Sequence, residues 1–355
     1  MRPSRSTPEI PALLQNAVRT LPPGAFAFVM ATGIVSTALA LVHRNLLSIV
    51  LLVIAIAGGV ALSAALGWRL AVHRDAVLRD ARNPTSAFGF FTVVAAANVV
   101  GIRLDLAGHP APALILAAAS VPIWLLLTYA IPGALMLGPH PSPITPEVNG
   151  SWFLWVVGTQ ALAASAATLG HRQPGLAAAM APTAVALWGI GVMLYLMLAG
   201  LVTLRLLTTT SNPHTFSPAY WIYMGATAIT VLVGARILTL PAELPIMRAT
   251  IAVVAGLTYL LWAFGTWWIP LLVVFGVWRH VVRGEHLRYE AGLWSMVFPL
   301  GMYAVASILY GQTEQLSFMV WIGRVEVWVA LAAWAAVNVA MILAALPKGI
   351  RTRNR

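Results

Sequence analysis

The pair Phe298–Pro299 stands out among the residues that could act on a ligand. It lies inside the apolar run Trp294-Ser-Met-Val-Phe-Pro-Leu-Gly-Met302. A proline within a helix removes one backbone hydrogen bond and bends the axis. In hydrocarbon that defect is tolerated only where protein or a water-filled cavity satisfies the freed carbonyl. A bulky aromatic beside such a bend is suited to plug a conduit, so Phe298 and Pro299 read as a gate. The remaining polar groups in apolar runs are mostly uncharged. Of these, Thr32, Thr92, Asn98, Thr159 and Thr227 are candidates to line a passage, where hydroxyls and amides replace part of an ion's hydration shell. The competing role for each is to bond one helix to another. Arg103 and Arg236 stand near the outer ends of two runs, where they would concentrate anions at a mouth. Otherwise each snorkels to headgroups or pairs with a neighbour such as Asp105.

Other chemistries find little support. No catalytic, cofactor-binding or metal-ligating set is expected. Arg279-His280-Val-Val-Arg-Gly-Glu-His286 has the residue types of a metal site, but its spacing matches no familiar ligand pattern. The 8 histidines are scattered, there is no cysteine, and no Gly-rich nucleotide loop is present. A membrane-embedded enzyme is therefore the remote alternative. The net charge of +11 lies between apolar runs rather than in one basic stripe, which argues against a nucleic-acid partner. No acidic ring marks a cation pore, and no carboxylate sits at the centre of a run to couple protons.

These residues must be positioned by membrane helices. The 355 residues are 60% hydrophobic and 9% charged, with a mean hydropathy of +0.86, which excludes a soluble domain. Ten apolar runs long enough to cross a bilayer are expected at 23–42, 46–67, 85–104, 113–130, 150–169, 176–206, 218–240, 251–278, 289–309 and 318–346. The chain thus divides into a polar segment 1–22, a membrane domain 23–346 and a basic tail 347–355. No cleaved signal peptide is expected, because residues up to Arg19 are polar. With an even span count, 15 of the 21 Lys and Arg residues fall on one side and 6 on the other. That asymmetry puts both termini in the cytoplasm of a multi-pass inner-membrane protein. Four odd-numbered runs also open alike, with Pro or Gly and aromatics: Pro23-Gly-Ala-Phe26, Pro84 to Phe90, Asn149-Gly-Ser-Trp-Phe153 and Pro218-Ala-Tyr-Trp221. Such recurrence points to repeated helical hairpins.

Pro23-Gly-Ala-Phe-Ala-Phe-Val-Met-Ala-Thr-Gly-Ile34 resembles the opening motif of the tellurite-resistance/dicarboxylate transporter family. Gly265-Thr-Trp-Trp-Ile-Pro270 and Trp294-Ser-Met-Val-Phe-Pro299 resemble its late motifs. That family includes slow anion channels and malate, sulfite and tellurite-resistance transporters. The resemblance implies an all-α fold of ten helices, as five hairpins in quasi-fivefold arrangement around a central pore lined by the odd helices. It implies a homotrimer in the lipid bilayer, small anions as substrate, and Phe298 as the pore-blocking phenylalanine. Where relatives often carry a second aromatic before the Phe-Pro pair, this chain has Ser295-Met296. The function expected is a channel or transporter for small inorganic anions or C4-dicarboxylates. The alternative is a proton-coupled dicarboxylate or sulfite carrier.

Overall fold

A computed structural model describes residues 10–138, 144–208, 217–286 and 288–345, with side chains from Leu14 onward. The basic tail expected at 347–355 lies outside the described residues. Ten helices are long and apolar enough to span a membrane, and the chain is all-α over the described residues. The odd spans are Pro23–Leu41, Ala87–Leu106, Gly150–Arg172, Pro218–Ile237 and Ala291–Thr313. The even spans are Asn45–Val72, Pro110–Leu137, Pro174–Thr208, Pro245–Val282 and Ser317–Ala345. A short amphipathic helix, Ile10–Arg19, precedes them.

Burial separates the two sets. In the odd spans 72–83% of the most apolar window is buried, against 11–39% in the even ones. The odd spans therefore form an inner layer, and the even spans turn apolar faces such as Val53, Leu126 and Val253 outward. In water such faces would be a liability, whereas against lipid they are at their natural solvent. Each inner span packs on the next, and the ninth packs on the first, so the inner layer closes into a ring.

Each inner span begins with a tight 3-10 turn: Pro23–Phe26, Ala87–Phe90, Gly150–Phe153, Pro218–Tyr220 and Ala291–Leu293. Three of them carry or follow the prolines read from sequence, because proline suits a helix start, where its missing N–H would be unpaired anyway. The ninth span has the same turn without a proline, so the hairpin rhythm extends to all five. These turns contact one another in sequence and close a second ring, a collar at one end of the bundle. Aromatic contacts weld it: Phe88 to Trp152 at 4.8 Å, Phe153 to Tyr223 at 4.6 Å, and Phe28 to Trp294 at 4.9 Å. The Trp152 indole also donates to the Pro84 carbonyl at 2.8 Å.

Close approach of the last hairpin depends on Gly323 in the tenth span. A Cβ there would stand 2.7 Å from the Ala304 carbonyl oxygen and 2.9 Å from the Ile308 backbone nitrogen. Both neighbours are backbone and cannot swing aside. Gly323→Val is expected to force the ninth and tenth spans apart and destabilise the protein by about 1–3 kcal/mol. A thermal melt in detergent would show the loss, and a melting temperature equal to wild type would refute this packing.

Candidate functional site

The inner ring encloses a small central cavity, and every inner span contributes to its wall. The contributions are Ile34 and Thr37, Val99 and Ile102, Ala161 and Ala164, Ile229 and Leu232, and Met302 and Val305. In all five spans the pair is spaced i, i+3, so one helical face per span looks inward. Arg236, one turn beyond Leu232, adds the only charged group to the lining. The cavity has a volume of about 20 Å³, room for roughly one water molecule. Nothing much larger than a water fits within it.

Phe298 is fully buried and lies four residues before Met302, on the same face of the ninth span and one turn nearer the collar. Pro299 packs beside it against Gly225 of the seventh span, where a Cβ would come within 2.7 Å of the proline ring. The helix continues through Pro299 from Trp294 to Thr313, so the freed carbonyl, that of Ser295, sits at the level of the collar. Along the ninth span Phe298 thus stands one turn nearer the collar than the lining residue Met302, and Arg236 lies at the opposite end of the cavity. The Nε of Arg236 is buried without a hydrogen-bond partner among the described residues. Arg172 and Asp105, themselves paired at 3.1 Å, are the charges acting on it.

The polar atoms of the candidates read from sequence are engaged either by neighbouring helices or by their own span. Thr32 accepts from the Trp334 indole at 3.0 Å, and Thr159 accepts from the Trp124 indole at 2.9 Å. Thr227 donates to the Met224 carbonyl at 2.7 Å and abuts Gly265 of the eighth span. Asn98 donates to Ser120 Oγ at 2.8 Å and accepts from Ser165 Oγ at 2.6 Å. Thr92 sits in the collar, donating to the Gly89 carbonyl at 2.7 Å. None of the five is part of the cavity wall. Arg103 also turns away from it. Its buried guanidinium donates from Nε to Ser36 Oγ at 3.1 Å and Ser48 Oγ at 3.2 Å, and from Nη2 to Ser48 Oγ at 2.7 Å.

Sequence reasoning did not single out the residues that line this cavity, because they are apolar and resemble any other core. The signal was positional. Thr32, Thr159 and Thr227 each precede the first lining residue of their span by two, about 200° around the helix. A threonine facing an outer helix therefore marks the inward face two residues later.

Residues 20–342 match the SLAC1 family, described as voltage-dependent anion channels. The chain belongs to this family. It is therefore a multi-pass membrane protein of the anion channel and transporter class, which is not a class of enzymes. It is 48% identical over 149 residues to an uncharacterized membrane protein of Mycobacterium tuberculosis, found in strains CDC 1551 and H37Rv. That match covers 42% of this chain and 75% of the relative. An uncharacterized transporter of Methanocaldococcus jannaschii is 23% identical over 147 residues, 41% of each chain.

The cavity exists partly because the fifth span presents only Ala161 and Ala164 to it. Ala164→Leu adds three carbons where there is space for about one water, and is expected to reduce ion flux at least about tenfold while the fold survives. Flux into liposomes by a folded Ala164→Leu protein at the wild-type rate would show that ions travel elsewhere.

Proposed function

We propose that this family member passes small anions along the axis of the inner ring, with Phe298 as the gate and Pro299 as the bend that lets it move. The observation that carries this reading is the central cavity, to which each inner span gives an i, i+3 pair. Its wall is apolar and uncharged until Arg236, so an anion crossing it meets no counter-charge strong enough to hold it. Arg236, with an unpartnered Nε, raises the local concentration of anions at the far end. Phe298 closes the path by filling the turn between cavity and collar.

The substrates that fit this reading are small inorganic anions or C4-dicarboxylates. A proton-coupled dicarboxylate or sulfite carrier is the second reading; the half-buried Glu326 of the tenth span is the observation in its favour. The recurrence of turn, threonine and inward pair supports a quasi-fivefold relation among the hairpins. The charge asymmetry of 15 against 6 supports an orientation in the inner membrane with both termini, and hence the collar, on the cytoplasmic side. The resemblance noted from sequence supports assembly as a trimer.

Phe298→Ala is expected to raise anion conductance in planar bilayers by an order of magnitude or more, since it removes the plug without touching the ring. Conductance equal to wild type from folded protein would eliminate the gate. Reconstitution with chloride, nitrate, sulfite, malate and tellurite identifies the substrate. Reversal potentials that shift with a pH gradient would favour the coupled carrier over a passive channel.

A further inference from the structure

The group that the proposed conduit does not use is the Arg103 guanidinium, and its surroundings are unusual. Ser36 of the first span and Ser48 of the second bond each other reciprocally. Ser36 Oγ donates to the Ser48 carbonyl at 2.6 Å, and Ser48 Oγ donates to the Ser36 carbonyl at 2.6 Å. Each hydroxyl proton is thereby committed to a backbone oxygen. The lone pairs of both hydroxyls are left facing the one strong donor at hand, the Arg103 Nε and Nη2. The result is a neutral clasp around a full positive charge.

No acid compensates that charge among the described residues. The nearest carboxylate in sequence, Asp105, is held by Arg172. An unpaired charge buried between helices is costly and calls for a reason. The reason is its position. Arg103 directly follows Ile102, and Ser36 directly precedes Thr37, both of which line the cavity. The guanidinium therefore sits one layer behind the wall where the first and third spans meet. Packed between helices there, its field reaches the passage less screened than it would be in open water.

We infer that Arg103 is a selectivity-determining residue: a fixed charge behind the wall that holds the passage positive, with Ser36 and Ser48 as its positioning residues. This inference rests on the channel reading above. The guanidinium is locked by the clasp, so it cannot swing into the passage, bind the anion and stall it. It acts only through its field. Arg236, on the lining itself, supplies capture; Arg103 supplies discrimination against cations.

The test is the chloride-over-potassium permeability ratio, from reversal potentials of purified full-length protein in planar bilayers under a KCl gradient. Arg103→Gln is expected to lower the ratio about tenfold, and Arg103→Lys to restore most of it, because the field depends on charge rather than on the fork of the guanidinium. Should Arg103→Gln fail to fold, Ser48→Asp neutralises the guanidinium in place and is expected to lower the ratio as far. A ratio unchanged in folded Arg103→Gln or Ser48→Asp protein overturns the inference. So does an equal loss in Arg103→Lys and Arg103→Gln, which would make the clasp a purely structural staple. Wild-type protein that passes no anion at all overturns the channel reading itself and this inference with it, a result distinct from the others.

Discussion

Everything in this structure follows from the cost of an unpartnered polar atom in hydrocarbon. The inner spans carry threonines, serines, an asparagine and a glutamine in their apolar runs; some, such as Thr37, Thr227 and Thr230, bond back to their own helix, and others bond sideways. Trp334 donates to Thr32, Trp124 to Thr159, and Trp262 to Ser307; Gln160 donates to the Trp188 carbonyl. These bonds tie the outer helices to the inner ring. They also remove polar atoms from the axis. A wall of Ile, Val, Ala, Leu and Met remains, with Thr37 turned back onto the Gly33 carbonyl.

The cavity that remains is walled largely by apolar side chains. Two arginines stand near it. One is held by hydroxyls behind the wall; the other has an unpartnered nitrogen at the rim. The arginines at the collar end do different work. Arg205 donates to the Pro146 carbonyl and to the Tyr220 hydroxyl, and Arg69 ties Asp80 to the Arg19 carbonyl. Those side chains fasten loops and the first short helix to the bundle.

The collar organises one end of the bundle. Five tight turns in mutual contact, welded by aromatic rings, fix where the inner helices begin. At the level of the collar, Pro299 leaves the Ser295 carbonyl without its helical partner inside an otherwise continuous ninth span.

Much of this was legible in the chain. Hydropathy located ten spans, because apolar length is a local property. The openings at Pro23, Pro84, Asn149 and Pro218 exposed the hairpin rhythm, because tight turns demand particular residues. The proline at 299 singled out the ninth span for the same reason. Helical phase was not legible. Thr32 and Ile34 are two residues apart, and only the neighbours decide which faces the axis and which a tryptophan 302 positions away. Nor could sequence place Arg103, whose side chain meets serines 67 and 55 residues distant. The sequence by itself determined which helices exist and where they bend; the tertiary structure decided which face each turns inward, because that choice is made between helices and not within one.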